Sequence, residues 1–341
     1  LITEIESQKE NNQLTILDIQ LDFKQMVLLD LPNKSEVNLT EIQDGKYFLI
    51  NSRVKFSEEK SPLVELWYGN DPFVNVHKRM YIKDEYWLWD TTNNNLLQIK
   101  LPEGHELSSL NNTRFFLCYL PRKGYNFTTF NPEINDADVL DITTGNLVKV
   151  GNLKQVQYLK KGWQPEFLGN QVFCSKDGRF FLASNDGVKW SLFSSSGKKE
   201  ALIEHDSLGQ PIFSADSNTI YFESSNDLWK YDIKSKKLAA LEIAKGKTVQ
   251  IKSLIGDPGS GTMGSFLQED SILVEVYDNG SNRISYKLYQ NGNWKQVVPK
   301  TENRIDPGHL LFNKDMKTFI RWKEILIFHL HCILISMDIK R

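Results

Sequence analysis

The sequence predicts an all-β chain, a β-propeller of about seven to eight four-stranded blades, incomplete or open at its C-terminus. Three observations predict it. Helical periodicity is scarce, and few windows hold apolar residues at i, i+3, i+4 and i+7 for three turns. Short aromatic and β-branched runs dominate, separated by Asn, Asp, Gly and Ser. The runs recur in a two-part pattern with a period of about 40 to 50 residues.

The first part of the pattern is an apolar residue, a polar turn and an aromatic-rich strand. Asp44-Gly45-Lys46-Tyr47-Phe48 and Asp177-Gly178-Arg179-Phe180-Phe181 show it most plainly. Variants begin at Asn112, Asp216 and Asp315. Asp-Gly suits a tight hairpin because Gly, and Asp less easily, accepts a positive φ. The second part is a strand ending in a polar residue, a short turn, then an apolar residue in most copies. It appears at Trp87–Leu96, Val139–Leu147, Trp190–Lys198 and Leu228–Leu238, and more loosely at Tyr286–Trp294. Two parts make four strands. Phe173 and Phe213, in the matching runs Val172–Asp177 and Ile212–Asp216, stand 40 residues apart, and Leu311–Asp315 repeats the start again. A lone four-stranded sheet cannot bury both faces, but radial stacking of neighbours does so, with aromatic side chains filling the wedge between blades. A β-sandwich pair or an irregular all-β domain is the competing arrangement, and sandwiches do not impose this internal repeat.

Composition narrows function without naming it. The 341 residues hold 41 Lys+Arg against 43 Asp+Glu, a net charge of −2, which gives no support for a nucleic-acid partner. Cys118, Cys174 and Cys332 are too few and too widely spaced for a disulfide framework or a zinc site, and read as buried apolar residues. The longest apolar stretch, Ile325 to Ile335, is interrupted by His329 and His331 and is too short to span a bilayer. No signal-peptide pattern stands at the start, and the residues leave the compartment open.

Four segments carry a resemblance across about residues 40–324. They are Val64–Phe73, containing Val-Glu-Leu-Trp followed by Asp71; Asp138–Gly145; Ser175–Phe180, with Lys176 where the related pattern has Pro; and Asn226–Asp232. Together, in this order, they resemble the N-terminal β-propeller of prolyl oligopeptidase-like serine peptidases (the S9 group), especially its dipeptidyl-peptidase-like branch. The resemblance implies a propeller at 1–324 with a partial first blade, and an atypical apolar tail at 325–341 that reads as a truncation or frameshift. It also implies an extracytoplasmic home, periplasmic or secreted.

In that family an α/β-hydrolase domain performs the cleavage with a Ser in Gly-x-Ser-x-Gly, then Asp and His. This sequence has no Gly-x-Ser-x-Gly; Gly259-Ser260-Gly261 lacks the flanking pattern. The expectation is therefore a non-catalytic propeller portion, inactive alone, which gates peptide access to a hydrolase domain not present here. The alternative is a stand-alone propeller serving as a protein-interaction platform. No catalytic residue, cofactor or metal is expected: His329, His331 and Cys332 lack a fourth ligand nearby. Asp71 and Glu166 are the weak candidates for lining a substrate passage, with turn carboxylates accepting backbone N–H bonds as the plainer reading. The tryptophans read as blade packing ahead of a sugar-stacking surface. Asn38-Leu39-Thr40 and Asn126-Phe127-Thr128 match the glycosylation pattern but say nothing of location. The partners expected are peptides reached through the hydrolase domain, with no nucleic acid and no membrane span, and with self-association through strand edges left open by an unclosed propeller.

Overall fold

Alternating side chains and tight polar turns fold the repeats into antiparallel meanders. The computed structural model describes residues 2–7, 13–18, 24–30, 36–55, 82–102, 104–119, 134–154, 172–184, 189–252, 266–267, 271–281, 283–290, 293–298, 310–312, 318–325 and 329–336. Every regular element among them is a strand. The first sheet holds β1 (Ile2–Ser7), β2 (Gln13–Asp18) and β3 (Lys24–Asp30). The second holds β4 (Glu36–Ile42), β5 (Tyr47–Lys55), β6 (Ile82–Asp90) and β7 (Asn95–Ile99). The third holds β8 (Glu106–Ser109), β9 (Phe115–Tyr119), β10 (Ile134–Asp141) and β11 (Leu147–Lys154). The fourth holds β12 (Val172–Cys174), β13 (Phe180–Ser184), β14 (Lys189–Ser194) and β15 (Lys199–Glu204). The fifth meander runs through β16 (Leu208–Phe213), β17 (Thr219–Ser224), β18 (Trp229–Asp232) and β19 (Lys237–Ala240). The sixth runs through β20 (Thr248–Ile251), β21 (Ile272–Asp278), β22 (Arg283–Gln290) and β23 (Asn293–Val298). A last three-stranded sheet holds β24 (Leu310–Phe312), β25 (Thr318–Ile325) and β26 (His329–Ser336). The apolar segment after residue 325 thus supplies β26, which pairs with β25 from Thr318↔Ser336 to Ile325↔His329.

The chain divides into two compact units. One comprises Leu1–Phe222, Trp229–Ala240 and Leu254–Asp270; the other comprises Glu223–Leu228, Leu241–Ser253 and Ser271–Arg341.

In the first unit consecutive sheets stack face to face, and period-2 alternation shows how. On β9, Phe116 and Cys118 join Leu49 and Leu88 of the preceding sheet. Leu117, between them, points the other way and joins Phe181 and Ala183 of the following sheet. On β13 the alternation repeats: Phe181 and Ala183 face back, while Leu182 faces Ile220 and Phe222. A sheet buried on both faces needs apolar residues at every position, which is why these second strands read as unbroken apolar runs. A two-sheet sandwich buries only one face of each sheet, so this stacking excludes it. The fold class is the one the repeat predicts: all-β, built of blade-type four-stranded meanders.

Trp190 fills the wedge between neighbouring sheets, as expected, whereas Trp87 and Trp89 cluster with Phe48 and Ile50 of their own sheet. Trp89 and Trp190 are fully buried and Trp87 nearly so. Trp190 meets Phe173 edge-on at 5.6 Å and Phe222 at 6.4 Å. Burying side chains of this size contributes about 1.5–3 kcal/mol each. Trp229 packs half-buried against the same cluster and lies 4.0 Å from the His205 ring. Trp67 and Trp163 lie outside the described residues.

The second unit has its own core. Ile272, Leu273 and Val274 are buried in succession on β21, and Ile284, Tyr286 and Leu288 alternate inward on β22. Ser224, at the end of β17, pairs with Val249 of β20 within this unit. The Glu223 carboxyl accepts the Ile251 amide at 2.7 Å. Asp227 is buried, and its Oδ1 accepts the amides of Leu228, Ile243 and Ala244.

Candidate functional site

In an antiparallel meander the first and third turns fall at the same end, and in the first unit the two are tied by one repeated bond. The residue opening the third turn donates its amide to the carbonyl of the residue closing the first. The pairs are Thr91 to Lys46 at 3.0 Å, Ile142 to Arg114 at 3.0 Å, Ser195 to Arg179 at 2.7 Å and Ile233 to Asn218 at 3.1 Å.

The first turns are braced internally by short polar side chains. Asp177 Oδ1 accepts the Arg179 amide and the Ser175 hydroxyl, whose oxygen in turn accepts the Phe180 amide. Thirty-nine residues on, Asp216, Ser214, Asn218 and Thr219 repeat the arrangement. Asn112 Oδ1 does the same for the amides of Arg114 and Phe115. These are Asx-type turns, and they explain the spacing of Asp or Asn ahead of each aromatic strand.

The turns are also joined from sheet to sheet. Asn111 is buried, with a positive φ of 55°. Its Oδ1 accepts the Gln43 amide at 2.9 Å, and its Nδ2 donates to the Lys176 carbonyl. Asn112 Nδ2 donates to the Gly178 carbonyl at 2.9 Å. The buried Ser217 hydroxyl accepts the Asp177 amide at 3.3 Å. Four successive turns therefore form one hydrogen-bonded rim.

An open cleft of about 390 Å³ lies on this rim. Gln43, Asp44 and Lys46 line it from one turn, Lys176 and Asp177 from a second, and Ala215, Asp216 and Ser217 from a third. Its wall is polar and of mixed charge. Burial pulls the Asp177 carboxyl up, but the amide and guanidinium of Arg179 and the Ser175 hydroxyl outweigh it and hold the group below the usual range. Asp216 is held low in the same way, burial being outweighed by Ser214 and Asn218. Both carboxylates are anionic at neutral pH and their oxygens are taken by their own turns. Beside the rim, Arg114 makes a two-bond pair with Asp141 at 3.0 and 2.6 Å, and this holds the Asp141 carboxyl well below the usual range, with help from Thr143. Such a surface offers charge and hydrogen bonds.

Asp71, Glu166 and the Gly259–Gly261 triplet lie outside the described residues. His329, His331 and Cys332 stand on β26. Cys118 and Cys174 are buried, and burial, reinforced by Asp138, pushes the Cys118 thiol up to about 12. Among the described residues no group of three or more His, Cys, Asp or Glu side chains could hold a metal ion, and no helix is long and apolar enough to cross a membrane. The cleft residues were visible in the sequence only as turn punctuation; what marks them is their shared position ahead of three separate aromatic strands.

No family model matches the chain, and no curated protein sequence matches it. Solved structures do. Porphyromonas gingivalis dipeptidyl peptidase 4 is similar at 9% identity with a TM-score of 0.44, over 94% of this chain and 49% of its own length. The β-propeller domain of the Trilobed protease from Pyrococcus furiosus is similar at 12% identity with a TM-score of 0.39, over 98% of this chain and 91% of its own. A eukaryotic initiation factor is similar at 10% identity with a TM-score of 0.42, over 87% of this chain and 63% of its own. The chain thus spans about half the length of the dipeptidyl peptidase and under two thirds of the initiation factor.

Proposed function

We propose that this chain is the non-catalytic propeller portion of a prolyl oligopeptidase-like serine peptidase, admitting peptides to an α/β-hydrolase domain. The observation that carries the reading is the hydrogen-bonded rim of turns with its polar cleft. A filter that selects by size needs a mouth that does not widen, and Asn111, Asn112 and Ser217 fix the turns to one another. The sequence segments behind the resemblance support it: Ser175–Phe180 forms one of the rim turns, and Asp138–Gly145 supplies the strand and turn that carry Asp141. Cleavage in that arrangement belongs to a Ser-His-Asp triad elsewhere, and the propeller acts sterically.

Two measurements test this. Coding DNA read beyond codon 324 in all three frames should contain Gly-x-Ser-x-Gly, then Asp and His codons. Fluorescence anisotropy should show labelled unstructured peptides binding the purified chain, with binding weakened in Lys176→Glu. A stop codon with no hydrolase coding in any frame, together with no peptide binding, would sink the proposal.

A second reading, a stand-alone propeller acting as a protein-interaction platform, is favoured by one observation. The exposed large apolar side chains among the described residues, Leu97, Leu147, Val148 and Leu202, all stand on outer strands of the first unit, where a partner could reach them. Peptide binding without hydrolase coding would select this reading.

A further inference from the structure

The outermost strand of a blade presents an unpaired row of backbone N–H and C=O groups, and such edges are commonly protected by charged side chains or by bulges. The last strands of the meanders β4–β7, β8–β11, β12–β15, β16–β19 and β20–β23 follow this rule, with one exception. Strand β11 carries Lys149 and Lys154 and has a register shift against its neighbour. Strand β15 carries Lys199, Glu200 and Glu204 and is also shifted. Strand β19 carries Lys237, and β23 carries Lys295 beside a shift. Strand β7, Asn-Leu-Leu-Gln-Ile, has neither a charge nor a shift, and its register against β6 is unbroken from Asp90↔Asn95 to Tyr86↔Ile99. Among the described residues it is the terminal strand of its sheet. At its middle stands Leu97, 49% exposed.

We propose that the free edge of β7 pairs antiparallel with β7 of a second copy of this chain, about a twofold axis through Leu97. The strand is self-complementary in that register. Leu97 meets Leu97 of the second copy, Leu96 lies opposite Gln98, and Asn95 lies opposite Ile99. Just beyond the strand, Lys100 lies opposite Asn94, so no like charges face each other. The contact is isologous and closes on itself, giving a dimer and no filament. Five residue pairs bury far less than the roughly 1,200 Å² of a standard interface, so the association is weak and reversible. The surface is distinct from the cleft and from the chain's last sheet, and the inference does not depend on the proposed function.

Sedimentation velocity on the full chain, up to roughly 1 mM, should show a concentration-dependent monomer–dimer equilibrium. Leu97→Lys sets two like charges against each other and should weaken the dimer at least roughly tenfold. Leu202→Lys, which removes an equally exposed leucine from β15, should leave it unchanged. Far-UV circular dichroism confirms that each variant is folded. Cross-linking reads the register. Directly opposed residues in an antiparallel pair have Cα atoms ~4.5–5.5 Å apart, within disulfide reach. In a Cys332→Ser background, with Cys118 and Cys174 buried, mild oxidation should join Leu97→Cys chains but not Gln98→Cys chains. A monomer at every concentration overturns the proposal. So does equal weakening by Leu97→Lys and Leu202→Lys, or equal cross-linking of Leu97→Cys and Gln98→Cys.

Discussion

Gly178 lies against the backbone of Asn111 so closely that a Cβ on Gly178 would stand 2.2 Å from the Asn111 carbonyl oxygen. The contact is backbone to backbone, and Gly178 also has a φ of +66°. Neither side can yield without moving a turn. Gly178→Ala should therefore destabilise the first unit by about 3 kcal/mol or more, from left-handed strain and steric overlap together. The check is a lowered urea midpoint with an unchanged slope.

Asn112 stands where the other rim turns have Asp, and its amide group supplies the reason. Its Oδ1 serves its own turn and its Nδ2 donates to Gly178. Asn112→Asp keeps the first role, loses the second and turns a carboxylate oxygen toward a carbonyl. The expected cost is about 1–2 kcal/mol by chemical denaturation, larger than for Asn112→Ser.

Glu223 gives a pH signature. Burial pushes its carboxyl up to about 7 from the usual 4.5, with Glu275 adding to the rise and the Ile251 amide and Lys252 opposing it. A raised pKa means that the folded state holds the proton more tightly than the unfolded state. The stabilisation is complete below about pH 4.5 and is lost as pH rises through about 7. Glu223→Gln keeps an oxygen for the Ile251 amide and cannot titrate. Wild-type stability, relative to this variant, should fall between those pH values and level off above them. Two parallel stability curves would contradict it. Asp141 has the opposite sign: its lowered pKa adds stability above the ordinary carboxylate range, and that is lost as pH falls through it.

Trp190 separates volume from polarity. It is fully buried between two sheets, and its indole N–H finds no acceptor among the described residues. Trp190→Ala should cost about 3–5 kcal/mol through the void it leaves. Trp190→Phe keeps most of the ring and removes the unmatched donor, so it should cost about 1 kcal/mol or less. Thermal unfolding of the two variants checks the order.

Much of the fold was legible in the sequence because the repeat is written in local chemistry. Asp177-Gly178 needs only its own turn to be recognised, and the apolar run Phe180–Ala183 announces a strand buried on both faces. Among the described residues three sheets are four-stranded meanders of the kind the repeat predicts, β4–β7, β8–β11 and β12–β15. The candidate site was far less legible. Gln43, Lys176 and Ser217 belong to three turns scattered along the chain, and only stacked sheets bring them to one cleft. The sequence shows Asn112 only as the start of a variant turn and does not mark Asn111, because both side chains donate to carbonyls of the next sheet. Asp71 and Glu166, singled out from sequence, lie outside the described residues.

The bond that joins the first and third turns of four meanders uses only main-chain atoms, and the residues whose carbonyls accept it are Lys46, Arg114, Arg179 and Asn218. Three different side chains at these four positions leave the same bond intact. A brace of that kind cannot be mutated away one side chain at a time. The architecture can outlast the letters that first encoded it, so kinship between such chains fades from their spelling long before it fades from their shape.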